Sequence, residues 1–352
     1  LTQTMGEVMD YSERLMRAML ADLPDGNGAF ADYLDGDGIA DDDDGNDAPI
    51  WILMKVDKRG DRIIVDFDGT DPQTAGPINA PLSVTASGVY CGLKTAVDPN
   101  SLIPPNSGCW RAIEVTAPKG SLLNAEFPSP VVYANHEISH RLADMVMGAL
   151  VEFWPDQVMA CSQGTSAILT LGGVDPRSGQ RYVSYETVKG GFGARPNKDG
   201  INTIASGISN TMNTPIEVLE MAFPVRVLEY SVAPDTGGAG KFRGGCGARR
   251  IWQLLEGANA TGTLCMERMT SAPFGLAGGK AGTAAVVTLK TPDGKVRGLP
   301  SKGAFKVPGG SIVDMLTPGS GGFGNASERD PEAIAADLLE GYVTDDGVKR
   351  DY

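Results

Sequence analysis

The sequence predicts an α+β fold, rich in strands, with a few amphipathic helices kept apart from the strand runs. Three observations predict it. Apolar residues recur at helical spacing over residues 5–23 and again over about 136–153. After residue 224 the pattern turns to short strand runs separated by glycine turns. Strands and helices also fall in blocks, where a doubly wound sheet would alternate them. Glycine makes up 46 of the 352 residues, so much of the backbone must run through tight turns or close approaches.

Taken in order, the first helix carries Met5, Val8, Met9, Leu15, Met16, Met19, Leu20 and Leu23 at helical spacing, and Pro24, Asp25 and Gly26 stop it. The acidic run Asp35 to Asp47 resembles a calcium loop but fails the EF-hand template. Counting from Asp35, the sixth position is Ala40 where glycine is required, and the twelfth is Asn46 where glutamate is required. A solvated loop is expected there. Residues 51–56 and 62–67 read as a hairpin around the turn Asp57–Gly60, residues 84–97 as a helix, and 111–117 as a strand. A second long helix places Ile138, Leu142, Met145, Val146, Ala149, Leu150 and Phe153 on one face before Trp154 and Pro155 end it. Thr214-Pro-Ile-Glu217 reads as a capping box with proline at the first helical position. Thr291–Gly294 is expected to join two strands, and a last helix to run from Asp330-Pro331 to Gly341. The expected organisation is a central α+β portion over 1–230 and a glycine-rich β region with a C-terminal helix over 231–352, or one continuous domain.

Charge and cysteine usage narrow the function classes. A net charge of −14 argues against a nucleic-acid partner, because phosphate backbones are bound by clustered Lys and Arg. No apolar run reaches the ~20 residues needed to span a bilayer. The five cysteines are scattered, odd in number and never in Cys-x-x-Cys spacing, as expected of reduced thiols in a cytoplasmic protein. The chain opens on Leu1, directly in a helix, so processing or membership of a longer polypeptide is expected.

Several polar constellations are candidates for chemistry. Asp66 to Asn79 is a polar loop just past a strand end, a position from which enzymes often present side chains, and Asn79 is the candidate catalytic residue there. His136-Glu-Ile-Ser-His140 matches the zinc-peptidase pattern H-E-x-x-H, in which two histidines one turn apart grip zinc and the glutamate acts as base. No further histidine exists to complete a ligand set, so a metal site at His136 and His140 is not expected. The segment Asp235 to Gly247 holds the densest glycine cluster. It lacks both the Gly-Lys-Ser/Thr of a P-loop and the Rossmann spacing. Its backbone suits an anion nest, with Gly238 and Gly240 forming the concavity and Lys241 and Arg243 supplying charge; a compact turn between strands is the plainer reading. Glu186, followed by Gly190-Gly-Phe-Gly193 and Asp199, forms a second cluster. Asn210, Asn213, Glu217 and Glu220 form a third, in which Glu217 serves the capping box and Glu220 shares its helical face. Glu186 and Glu220 are the other catalytic candidates. A Ser-His-Asp triad has no support, because Gly-x-Ser-x-Gly is absent.

Taken jointly, these blocks resemble the hydantoinase B/oxoprolinase family, the B-type subunits of ATP-dependent cyclic amide hydrolases and related carboxylases. The matching stretches run in the family's order. They are Asp66 to Asn79, then Asn135, Glu137, Ser139 and Arg141 leading to Asp144 and Gly148-Ala-Leu150. Glu186 with Gly190–Gly193, Asn213-x-Pro-x-Glu217 and Asp235 to Gly245 follow. Pro273-Phe-Gly-Leu276 and Thr317 to Gly324 with Arg329-Asp-Pro331 complete the series. The resemblance implies an A-type partner subunit that uses ATP and Mg to phosphorylate a hydantoin-, oxoproline- or lactam-like substrate within a hetero-oligomer. The B-type subunit then completes hydrolysis with a divalent, Zn- or Mn-like metal. It implies further that the His and Asp metal ligands lie in a segment preceding the helix at 5–23, outside this chain. His136 and His140 stand where the family usually has other residues, and Ser320 interrupts a glycine run. A ketone carboxylase subunit and a non-catalytic scaffold are the alternative expectations, and a stand-alone zinc peptidase the weakest.

Overall fold

The computed structural model describes residues 1–40 and 47–352. Most of the acidic stretch of the supposed calcium loop, residues 41–46, therefore lies outside the described residues. The chain forms two compact units, Leu1–Leu34 with Pro49–Met159, and Asp35–Ala48 with Ala160–Tyr352. Residue 230, where the expected change of composition falls, lies in a strand of the second unit.

In the first unit, α1 (Thr2–Asp22) buries Met16 and Leu20, while Met5 and Val8 of the same apolar stripe stay exposed. Strands β1 (Gly26–Leu34), β2 (Ile50–Arg59), β3 (Arg62–Asp66) and β4 (Ile113–Thr116) pair in that order, antiparallel except for the parallel β3–β4 pair. The hairpin turn sits later than expected. Arg59 pairs with Arg62, so the reversal falls at Gly60, whose φ of 56° suits glycine.

Two helices cover this sheet's unit, α2 (Leu82–Val97) and α3 (Ser139–Leu150). Glycine sets their spacing. A Cβ on Gly92 would meet Val146 Cβ at 2.8 Å, and one on Gly28 would meet the Ala149 carbonyl oxygen at 1.9 Å. The helices can therefore approach each other, and α3 can approach β1, only without those side chains. The buried Arg141 of α3 donates to Asp32 of β1 at 3.0 Å and fixes the same contact electrostatically. Sequence periodicity found α3 but missed its entry, a π turn over Ala134–Ile138, and extended its end by three residues.

The second unit is built on two antiparallel sheets. One has the order β12 (Lys302–Val307), β9 (Ala260–Cys265), β5 (Ile168–Val174), β6 (Arg181–Thr187). The other has the order β11 (Val296–Gly298), β10 (Val286–Lys290), β13 (Ile312–Leu316), β8 (Ala248–Leu254), β7 (Val225–Val232). Period-2 alternation turns Leu169 and Leu171, Trp252 and Leu254, Val287 and Leu289, and Val313 and Met315 into one shared apolar core. The turn Thr291–Gly294 joins β10 to β11 as expected, closed by Gly294 N–H donating to Thr291 O at 2.9 Å. Three helices complete the unit: α4 (Ile216–Ala222), α5 (Pro331–Leu339) and α6 (Asp345–Asp351). Asp330 caps α5 by accepting from Glu332 N–H at 2.9 Å, and Gly341 follows it with φ 73°. The described residues thus hold six α-helices and thirteen strands in three sheets, an α+β fold.

Candidate functional site

The loop Asp66–Asn79 is closed by its own side chains. Asn79 is fully buried; its Oδ1 accepts from Thr74 N–H at 2.7 Å, and its Nδ2 donates to the carbonyls of Thr74, Gly76 and Pro130, each at 3.0 Å. Asp71 accepts from Trp51 N–H at 2.7 Å, and Asp66 accepts from the Thr116 hydroxyl at 2.9 Å. This polarity is spent on holding the loop against its neighbouring strands. Asn79 belongs to the first unit, whereas Glu186, Glu220 and the Gly238–Arg243 group belong to the second.

His136 sits in the π turn, where burial pushes its pKa below the usual imidazole value, and His140 is buried in α3. Among the described residues no group of three or more His, Cys, Asp or Glu side chains is placed to hold a metal. The divalent metal that the resemblance implies therefore finds no fitting donor set in the described residues. Asp35, expected in a solvated loop, is buried and accepts from Met269 N–H and the Thr270 hydroxyl, each at 2.6 Å.

The glycine-rich segment packs backbone against backbone. A Cβ on Gly245 would lie 2.0 Å from the Ile201 carbonyl oxygen, and one on Gly238 would lie 2.2 Å from that of Lys280. Gly238 N–H donates to Ser320 O at 2.8 Å, Ser320 N–H to Gly245 O at 3.0 Å, and Gly245 N–H to Phe192 O at 3.1 Å. These bonds draw the segments 190–193, 237–247 and 318–324 into one layer. Glycine is required there by contact distance, and the Gly238 amide of the expected nest is committed to a carbonyl of the chain. Ser320, the interruption of the glycine run, donates from its hydroxyl to Phe192 O at 2.7 Å.

The two cations expected to serve an anion nest already have partners. Arg243 is buried, and its Nε donates to Asp337 of α5 at 3.1 Å while its Nη1 donates to Gly244 O at 2.6 Å. Arg329 joins the network, donating to both Asp199 oxygens at 2.8 Å and to Asp337 at 2.5 Å. Burial alone would raise the Asp199 pKa, but the hydrogen bonds and charge of Arg329 hold it below the usual carboxylate range. The Tyr352 phenol, whose ring faces Arg329 at 5.7 Å, is pushed by burial up to about 12. Lys241 is half exposed and pairs with Glu328 at 3.5 Å. The network therefore clips α5 onto the glycine layer through Asp337, as suits the compact turn that was the plainer expectation for this segment.

The last two candidates mark one edge of the second unit. Glu186 of β6 and Arg250 of β8 are both buried and meet at 3.1 Å, an ion pair between the two sheets. The Arg250 guanidinium lies 5.0 Å from the ring centroids of both Tyr230 and Trp252. Glu186 also accepts from the Thr214 hydroxyl at 2.9 Å, and Tyr230 accepts from Asn213 Nδ2 at 2.8 Å. The expected capping box is therefore not made. Pro215, not Thr214, stands at the N-cap of α4, no side chain caps that helix, and Glu217 is exposed. The Thr214 hydroxyl has been drawn to Glu186 instead. Glu220 accepts from Val227 N–H at 2.8 Å and so secures the turn from α4 into β7. Sequence reading missed Lys189, which lies two residues past the end of β6 and is buried although no carboxylate pairs with it among the described residues. No pattern marks such a residue, since burial without a counter-ion is set by loops distant in sequence.

What emerges is an α+β protein whose second unit holds a glycine-packed layer. The chain belongs to the hydantoinase B/oxoprolinase family, whose sequence pattern matches residues 1–326. It is 31% identical over 368 residues to the caprolactamase subunit beta of Pseudomonas jessenii, covering 98% of this chain and 59% of that one. Its fold is similar to the crystal structure of the ATP-dependent caprolactamase from the same organism. There the TM-score is 0.84 and the identity 30%, over 99% of this chain and 60% of that one. It also resembles the nucleotide-free structure of acetone carboxylase at a TM-score of 0.84, covering 97% of this chain and 51% of that one; at 18% identity this is a likeness of fold alone. The chain spans about three-fifths of the length of the caprolactamase subunit. Among the described residues no helix is long and apolar enough to cross a membrane.

Proposed function

We propose that the chain forms part of a B-type subunit of an ATP-dependent cyclic amidohydrolase acting on a hydantoin-, oxoproline- or lactam-like substrate. The observation that carries this reading is the combination of the family match over residues 1–326 with likeness to a caprolactamase in both sequence and fold. The chemistry explains why two subunits are needed. An amide carbonyl is a poor electrophile, and its nitrogen a poor leaving group. An A-type ATPase partner transfers the γ-phosphoryl group of ATP to the amide oxygen and releases ADP. Water then adds at the activated carbon and the ring C–N bond breaks, leaving the freed amine and an acyl phosphate; a second water hydrolyses the acyl phosphate to the carboxylate and inorganic phosphate. A site that excludes bulk water and fixes the ring makes this attack productive.

The acetone carboxylase likeness supports a second reading with the same partner logic, in which a ketone and bicarbonate are activated instead. One assay separates the two. ATP hydrolysis is measured for the full subunit assembled with its ATPase partner, in the presence of caprolactam, hydantoin, 5-oxoproline, or acetone with bicarbonate. The first reading expects stimulation by a cyclic amide together with a ring-opened product. Stimulation by ketone and bicarbonate alone would replace it with the second.

A further inference from the structure

Lys189 is the clearest charge in the second unit that the fold itself does not answer. Its residue is 4% exposed. Its ammonium donates to the Thr187 hydroxyl at 3.0 Å and to the Thr211 hydroxyl at 3.2 Å, and no carboxylate among the described residues pairs with it. The Thr211 hydroxyl in turn shares a hydrogen bond of 2.9 Å with that of Ser209. An ammonium has three hydrogens to give, and two are placed here. Each hydroxyl that accepts from it keeps its own proton to donate. Burial with no opposing charge pushes the Lys189 pKa below the ordinary lysine value.

The groups around Lys189 come from two sources. Thr187 ends β6, whose position is fixed by pairing with β5. Ser209 and Thr211 belong to the connection between Ile204 and α4, a largely exposed loop in which Met212 is 91% exposed. Side chains anchor this loop: Thr214 to Glu186, Asn213 to Tyr230, and Thr211 to Lys189. Displacing this loop would take Thr211 away from the ammonium.

We propose that Lys189, Thr187, Thr211 and Ser209 form a subsite for a small oxyanion, a carboxylate or a phosphoryl group, with the 205–215 loop as its cover. An oxyanion supplies the missing counter-charge, accepts the third ammonium hydrogen, and accepts from the hydroxyls. A carboxylate of the chain would do this permanently, and at Arg243 and Arg329 the chain uses that solution. At Lys189 it does not.

The test is direct binding by the full chain, without partner or turnover, so its failure is distinct from failure of the amidohydrolase reading. Inorganic phosphate and acetate are titrated separately by calorimetry into the wild type, Lys189→Met and Thr211→Val, with circular dichroism confirming that each variant is folded. The expected result is binding of at least one anion to the wild type, with affinity at least about tenfold lower in Lys189→Met and reduced several-fold in Thr211→Val. Preference for phosphate identifies a phosphoryl subsite, and preference for acetate a carboxylate subsite. No binding of either anion to the wild type, or equal binding by wild type and Lys189→Met, overturns the proposal. If Lys189→Met does not fold, unchanged anion affinity in Thr211→Val overturns it as well.

Discussion

Two regions of the second unit treat buried charge in opposite ways. Around the glycine layer, Arg243 and Arg329 are buried against Asp337 and Asp199, with the two Arg329–Asp199 contacts at 2.8 Å each. Beside the end of β6, Lys189 is buried against hydroxyls alone. The first arrangement locks segments distant in sequence: Asp199, Arg243, and α5 with its preceding loop. The second leaves a favourable contact unmade. A fold that neutralises its buried cations in one place and not in another separates the groups that hold it together from a group available to something else.

The largest effect should come from unlocking the matched region. Asp337→Ala removes the carboxylate that pairs with buried Arg243 and leaves Arg329 with Asp199, and should cost about 3–5 kcal/mol in chemical denaturation. A loss under about 1 kcal/mol would mean that the network does not hold α5. Next comes the glycine layer itself. Gly245→Ala drives a methyl group into the Ile201 carbonyl and should cost about 1–3 kcal/mol or prevent folding. Gly207→Ala is the control, because nothing lies within 4 Å of its Cβ position, and it should change stability by less than about 1 kcal/mol. Similar losses at both positions would show that close approach is not what the layer's glycines provide.

The smallest effect, and opposite in sign, belongs to the unmatched region. Lys189→Met should raise stability at neutral pH, on the order of 1 kcal/mol, because an apolar chain replaces an unanswered buried charge. The pH dependence has a defined sign. The folded-state pKa of Lys189 lies below its unfolded value, so between the two the unfolded chain binds more protons. Wild-type stability should therefore gain on that of Lys189→Met as pH rises towards the lysine range. A gap that widens instead would contradict the burial argument. At the acid end Asp199 gives a slope of the same sign, because its folded-state pKa is also depressed. Its depressed pKa contributes stability above the usual carboxylate range that is lost as pH falls through the folded value, and Asp199→Asn should flatten that acid limb.

The sequence carried the helices and the family well, and the site poorly. Residues 2–22 and 139–150 were legible because an amphipathic helix repeats its apolar residues over several turns. Strand β1 was not, since its Gly26, Gly28, Ala29 and Ala31 give a faint alternation whose meaning lies in contact with α3. The capping box at Thr214 was a sound local inference overruled by Glu186, twenty-eight positions away. Arg243 looked like an anion ligand because its partner Asp337 is ninety-four positions distant and nothing local announces it. Asn79 looked catalytic because a polar side chain past a strand end is equally suited to gripping its own loop. At Thr214 and Arg243 hydrogen bonds between distant segments decided the role, and those bonds are absent from any local pattern.

The most direct test is the pKa of the Lys189 ammonium itself, followed by NMR through its ε-methylene signal with and without inorganic phosphate or acetate. The account predicts a value below that of an ordinary lysine in the free protein and a rise when the anion binds, because the bound charge favours the protonated form. An ordinary value in the free protein, unmoved by either anion, would contradict it.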